Sequence, residues 1–255
     1  LRQLIDKYTQ VFSKSEYDLG QATGVRHRID TGGSRPIRQT LRRQPGKYLE
    51  VIDEQVETML KQGIVEPAQS AWASNVVMVK KKDGSLRFCV DYRKLNEVTQ
   101  KDSYPLPLIQ SCLDAMGKAK WFSTFDLRSG YHQVLLDQRD ADKTTFVTRK
   151  GAYRFKVMPF GLCNAPATFQ RLMDVVMAGL NFEICLIYLD DIIIFSENLT
   201  QHLERLEMLF QRLQKANLKL KPSKCQLMQK EVNFLGHVVT DKGITADPEK
   251  TKGTS

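Results

Sequence analysis

The sequence predicts an α+β fold in which helices and antiparallel hairpins follow one another irregularly. Three observations predict it. Apolar residues recur at helical spacing in some stretches, and short runs of β-formers face one another across turn residues in others. No strict strand–helix alternation marks a doubly wound parallel sheet. No glycine-rich phosphate loop is present, which disfavours Walker-type nucleotide binding.

Residues 1–45 show weak periodicity and several turn formers, among them Gly32, Gly33, Pro36 and Pro45, and read as a connecting arm with short extended pieces. From Gly46 to Gln62 the positions Tyr48, Ile52, Val56, Met59 and Leu60 keep helical spacing, and Gly63 suits the helix end. Asn75 to Lys80 reads as a strand, Asp83-Gly84 as a hairpin turn and Leu86 to Asp91 as the returning strand. Pro105 and Pro107 precede a helix at about Ile109 to Met116, and Phe122 to Leu127 is a short strand. Residues 141–158 fit a hairpin with Gly151 in its turn, and Pro166 to Leu180 a helix with Pro166 in its first turn. Ile184 to Phe195 reads as two buried strands meeting at a tight acidic turn. Thr200 can cap a helix running to about Ala216, whose leucine stripe faces the core. Residues 232–240 form a last hairpin.

Composition bounds the function. At 255 residues, with 42% hydrophobic and 26% charged, the chain can bury a sizeable core. Its 38 Lys and Arg against 29 Asp and Glu give +9, which favours polyanionic partners through release of phosphate counterions. The excess is uneven: Lys80, Lys81 and Lys82 are contiguous, and Arg212 to Lys230 forms a second basic stretch. The five cysteines include no CxxC pair and none close to a histidine, and the four histidines are scattered, so neither a disulfide framework nor a zinc site is expected. Packed, reduced thiols in an intracellular setting are the expectation. The longest apolar stretch, interrupted by Asp190 and Asp191, is far short of the roughly 20 residues that span a bilayer, so no membrane partner is expected. The first residue is Leu, so the chain reads as excised from something longer.

The acidic turn carries the chemistry. Two adjacent carboxylates between apolar strands are costly, because each charge wants solvent or a counter-ion while its neighbours want burial. Side by side they push one pKa up unless a cation neutralises both, and Mg²⁺ prefers such oxygen ligands. On the pair alone, a polar hairpin turn and a metal site are equally good readings. Asp126, at the end of another short strand, tips the balance. Carboxylates from two strands of one sheet can hold two ions about 3.5–4 Å apart, as phosphoryl transfer from a nucleoside triphosphate requires.

These segments resemble, in order and spacing, the motifs of reverse transcriptases. Tyr188-Leu189-Asp190-Asp191 is similar to the YxDD box, and Phe125-Asp126-Leu127-Arg128-Ser129-Gly130-Tyr131 to the first catalytic motif. The stretch from Met158 to Gln170 resembles the motif between them. Lys80 to Arg87 with Val90 to Asn96 resembles the fingers, and Phe234-Leu235-Gly236-His237 the primer grip. The arm around His27 to Gly32 and the FLGH grip resemble the gypsy-type LTR retrotransposon branch. The likeness covers roughly 46–245.

The resemblance implies a right-hand polymerase fold. Fingers would be 46–103 and 134–160, the palm with primer grip 104–133 and 161–245, and 246–255 a frayed tail. It implies RNA- and DNA-directed DNA polymerisation with two Mg²⁺, Mn²⁺ being an alternative. Asp126, Asp190 and Asp191 would hold the ions. Lys81, Arg87, Leu127, Tyr131, Phe160 and Gly161 would meet the dNTP, with Tyr131 as a steric filter against a ribose 2′-hydroxyl. Arg93, Asn96, Tyr188, Leu189, Leu235 and Gly236 would meet primer or template, or, for Arg93 and Asn96, brace the fingers. Implied partners are RNA and DNA template–primer, dNTPs and the protease, ribonuclease H and integrase of a Pol polyprotein. The implied setting is cytoplasmic virus-like particles, with the nucleus an alternative; the oligomeric state stays open. Thumb, connection and ribonuclease H would follow about residue 245, so weak processivity is expected of this piece. A non-catalytic nucleic-acid-binding module is the alternative of another class. Asp30-Thr31-Gly32 matches the aspartic-protease tripeptide, but the next element begins near Gly46, leaving no room for a protease core.

Overall fold

The computed structural model describes residues 1–80 and 84–247. The chain forms two compact units, one of Leu1–Thr23, Tyr104–Gly130 and the residues from Phe169 on, the other of Gly24–Ser103 and Tyr131–Thr168. The arm expected over 1–45 is thus divided between units, and it begins with a helix, Arg2–Lys7.

The first unit is built on a four-stranded antiparallel sheet in the order Gln226–Gln229, Trp121–Asp126, Asp191–Ser196, Cys185–Tyr188. Both faces are covered, which is why 184–195 reads as an almost continuous apolar run and not as a simple alternation. On one face Phe122, Leu186 and Ile193 pack with Cys112, Leu113, Met116, Val232, Phe234 and Val239. On the other lies the helix Leu199–Lys215. Its Phe210 meets the rings of Phe125, Phe12 and Tyr8 at centroid distances of 5.9, 5.4 and 5.9 Å. The N-terminal segment is therefore part of this core. Thr200 does not cap the helix; the Asn198 side chain accepts from Gln201 N, placing the cap two residues earlier. A three-stranded antiparallel sheet, Glu231–Phe234, His237–Thr240 and Gly243–Ala246, adds a strand to the hairpin expected at 232–240.

In the second unit a five-stranded sheet runs Val65–Pro67, Gly151–Phe155, Phe146–Thr148, Ser74–Lys80, Leu86–Val90. The helix Gly46–Lys61 accompanies it. The hairpin expected over 141–158 is shorter: Ala141–Thr144 is a 3-10 helix, Arg149 and Lys150 make the turn, and Gly151 opens the second strand. The expected helices at 109–116 and 166–180 are Ile109–Asp114 and Ala165–Val176. The hairpin tip at 81–83 and the tail from 248 lie outside the described residues. No helix among the described residues is long and apolar enough to cross a membrane.

Two buried histidines give the fold an acid limit. In the first unit, His202 bridges neighbouring strands, with Nε2 2.7 Å from Ser123 Oγ and Nδ1 2.7 Å from Ser196 Oγ. In the second, His27 Nδ1 lies 2.8 Å from Thr168 Oγ1. Burial depresses both to about 4, from an ordinary 6.5. Below about pH 6.5 the unfolded chain takes up protons that the folded chain refuses, so stability present at neutral pH falls as pH drops towards 4. The urea midpoint should stay level from pH 8 to 7 and be clearly lower at pH 5. An unchanged midpoint at pH 5 would show that these rings are protonated in the folded chain.

Candidate active site

Strand register brings the acids together. Trp121–Asp126 and Asp191–Ser196 pair antiparallel, with Asp191 opposite Asp126 and Asp191 also opposite Tyr188. The register from Ile192–Phe125 to Ser196–Trp121 is set by apolar packing, so the two acids end up side by side at the sheet's end. Like charges directly opposite are destabilising, and the packing of the strands must outweigh that repulsion.

Leu189 and Asp190 form the two-residue turn between Tyr188 and Asp191. Leu189 has φ +55, as the first position of a II′-type turn requires, where glycine is the usual residue. A non-glycine side chain held there marks a turn fixed by its surroundings. Leu189 N donates to Gln170 Oε1 at 2.8 Å.

Asp126 and Asp190 are partly buried and Asp191 is exposed. Burial is the main cause that raises the pKa of Asp190, with the charge of Asp126 adding; its own backbone N–H and Lys224 pull the other way. Lys224, from the 3-10 helix Pro222–Lys224, places Nζ 2.7 Å from Asp126 Oδ2. Its pKa is raised, first by that hydrogen bond and then by the charges of Asp126, Asp190 and Asp191. An ammonium stands where three acids need positive charge. The chemistry of the donors, all carboxylate oxygens around one cation, fits a hard divalent ion. Among the described residues no three His, Cys, Asp or Glu side chains form a ready-made metal cluster. The expected trio is gathered by register and turn, with Lys224 attached to one member.

The other expected residues divide. Leu127 is 1% exposed and its backbone bridges Leu220, so its side chain belongs to the core and cannot meet a nucleotide; only its backbone could. Of the two roles expected of Asn96, its contacts are those of a brace: Nδ2 donates to Gly161 O at 2.8 Å and Oδ1 accepts from Cys163 N at 2.9 Å. Arg93 makes a forked pair with Asp91 at 2.8 and 2.7 Å and remains exposed. Tyr131 stacks on Phe160 at 5.1 Å, and Phe160 is 54% exposed. Arg87 is exposed on Leu86–Val90, opposite Val79. Lys81 lies outside the described residues. Leu235 and Gly236 turn between Phe234 and His237 with φ +49 and +78, a I′-type hairpin that suits glycine second. Gly130 has another reason: a Cβ there would stand 2.8 Å from Phe169 Cζ.

Sequence reasoning missed two residues. Lys224 was one lysine in a basic stretch, and nothing local tied it to Asp126, 98 positions away. Gln170 closed a recognised motif but carried no assigned role.

The family model described as reverse transcriptase (RNA-dependent DNA polymerase) matches residues 79–239. The chain is 41% identical over 99% of its length to the Drosophila melanogaster retrovirus-related Pol polyprotein from transposon 297. It is 36% identical over 98% to that from transposon gypsy. It spans about a quarter of each relative, 24% and 25%. Among solved structures it is similar to the foamy viral protease–reverse transcriptase in complex with RNA/DNA hybrid, with TM-score 0.89 and 25% identity, covering 98% of this chain and 34% of that one. A second foamy viral structure, in complex with double-stranded DNA, gives 0.90 and 26%, covering 98% and 44%.

Proposed function

Because this chain belongs to the reverse transcriptase (RNA-dependent DNA polymerase) family, we propose that it is the polymerase segment of a gypsy-type LTR retrotransposon Pol polyprotein. It adds nucleotides from dNTPs to a primer 3′-hydroxyl on RNA or DNA templates, releasing pyrophosphate. The observation that carries this reading is the register that sets Asp126 beside Asp191, next to the Asp190 turn.

Asp126, Asp190 and Asp191 would hold two Mg²⁺, with Mn²⁺ as a substitute. Bound divalent ions supply acidification of the hydroxyl and neutralisation of phosphate charge. The chain's own residues do the rest. Lys224 keeps the Asp126 carboxylate oriented. Arg87, and Lys81 near it in sequence, are the residues to take the triphosphate, since a guanidinium grips phosphate by a fork and an ammonium by point charge. The exposed Phe160 ring backs Tyr131 and stiffens it as a filter at the sugar. The Leu235–Gly236 turn presses the primer strand. Fingers over 46–103 and 134–160, a palm over 104–133 and 161–245, and protease, ribonuclease H and integrase as further Pol segments complete the proposal, in cytoplasmic virus-like particles.

The test is primer extension on RNA and DNA templates, with and without Mg²⁺. Single-nucleotide addition to both templates, lost with chelator, is the expected result. No addition on any template with divalent ions present would overturn it. Replacing Tyr131 by Val should relax sugar selection. The ratio of kcat/KM for dNTP over rNTP should fall by about 10–100-fold, the scale of a lost steric or apolar contact. An unchanged ratio would move the filter elsewhere.

A further inference from the structure

The left-handed turn that presents Asp190 and Asp191 is tied to one buried amide. Gln170, on the helix Ala165–Val176, is fully buried. Its Oε1 accepts from Leu189 N at 2.8 Å, and its Nε2 donates to Asp174 Oδ1 at 3.1 Å. Asp174 is committed in turn. Its Oδ2 accepts from the Tyr104 hydroxyl at 2.7 Å and its Oδ1 from Asn181 Nδ2 at 3.4 Å. The Arg171 guanidinium lies over the Tyr104 ring, 4.5 Å from its centroid. A glutamine in a core is costly unless both ends are bonded, and here both are, one to the turn and one to an anchored carboxylate.

We propose that Gln170, oriented by Asp174, is the positioning residue that holds the Leu189 turn and thereby aims the Asp190 and Asp191 carboxylates. The amide's two ends are not interchangeable: the turn offers a donor and Asp174 an acceptor. Without Gln170 the Leu189 N–H loses its partner, and the turn is free to leave the left-handed conformation that the first position of this hairpin adopts. The inference rests on the polymerase reading above.

The donor–acceptor order supplies the test. Four variants of the 255-residue chain are compared: Gln170→Leu, Gln170→Glu, Asp174→Asn and the double Gln170→Glu/Asp174→Asn. Gln170→Leu should lower kcat for single-nucleotide addition by about 10–100-fold, the scale of a misplacement near 1 Å, with KM for dNTP within about two-fold. Gln170→Glu sets two carboxylates together and should be impaired. Asp174→Asn can still accept from Gln170 Nε2 and donate to the Tyr104 hydroxyl, so it should stay within about five-fold of the parent. The double variant exchanges the roles. The carboxylate introduced at position 170 still accepts from Leu189 N. The amide introduced at position 174 donates one N–H to that carboxylate, accepts from the Tyr104 hydroxyl and turns its second N–H to Asn181. The Asn181 Oδ1, buried without a hydrogen-bond partner, becomes the acceptor when the Asn181 amide turns over. The double should exceed Gln170→Glu and come within about five-fold of the parent, as a restored pair of hydrogen bonds predicts.

A Gln170→Leu kcat equal to the parent's, or a double no better than Gln170→Glu, overturns the proposal. If Gln170→Leu does not fold, the double against Gln170→Glu decides. Amide hydrogen exchange at Leu189 gives a readout without catalysis: slow in the parent and the double, faster in Gln170→Leu. Equal exchange in parent and Gln170→Leu also overturns it. A parent that adds no nucleotide would instead overturn the polymerase reading, while the exchange comparison still decides whether Gln170 holds the turn.

Discussion

Asp190→Asn should reduce Mg²⁺-dependent nucleotide addition by at least about 10³-fold, the scale for removing a group that meets charge in the transition state. Asn keeps the shape and loses the charge. Stability should not fall with activity. The folded-state pKa of Asp190 is raised, mainly by burial. A carboxyl whose pKa rises on folding is stabilising only while protonated, so at pH 7 its ionised form works against the fold. Removing the charge removes that cost, and the urea midpoint of Asp190→Asn at pH 7 should equal or exceed the parent's. Asp126→Asn should lose addition to a similar extent but gain no stability, because it also gives up the 2.7 Å ion pair with Lys224. Template–primer affinity should persist in both. Variants that extend primers as well as the parent would remove these acids from the chemistry, whatever their register.

Phe210→Ala should destabilise the first unit by about 3–5 kcal/mol, the usual range for a fully buried aromatic truncated to Ala. Phe210 is fully buried and meets Phe125, Phe12 and Tyr8. Those contacts tie the N-terminal segment to the helix Leu199–Lys215 and to the residue preceding Asp126. The cavity would open beneath the strand that carries Asp126, with no flexible neighbour on the strand to fill it. Urea unfolding followed by circular dichroism measures the loss. A change below about 1 kcal/mol would mean the three rings collapse onto the space, contrary to what a well-packed core allows.

The α+β polymerase fold was legible because its longest signals are local. The leucine stripe of Leu199–Lys215 and the apolar runs around Asp190 and Asp191 need no distant partner to be read. The acids were legible for a different reason: charge placed where burial is demanded contradicts the rule its neighbours obey. What escaped depends on pairs far apart in the chain. Gln226–Gln229 carries no strand pattern, since it is an edge strand with a register shift against Trp121–Asp126. Val65–Pro67 is three residues long and contains a proline at the sheet's edge. Asn198 outcompeted Thr200 as the helix cap, and both are acceptable cap residues, so local chemistry could not choose. For the Asn96 side chain the resemblance left two roles open, a template contact or a brace of the fingers. Its partners, Gly161 and Cys163, are more than sixty positions on.

The order in which this chain leaves a ribosome follows from how its first unit is assembled. The strand Trp121–Asp126 lies between a strand from 191–196 and one from 226–229. During synthesis it waits about a hundred residues for its outer neighbour, with main-chain amides on that side unanswered. The second unit, complete by Thr168, can condense meanwhile. Pairings this distant in sequence are slow to form and prone to stray association before they close. A transcript or proteolytic product ending short of Gln226 would therefore carry a raw sheet margin beside Asp126, and one ending short of Lys224 would lack that ammonium too, making it sticky as well as inert.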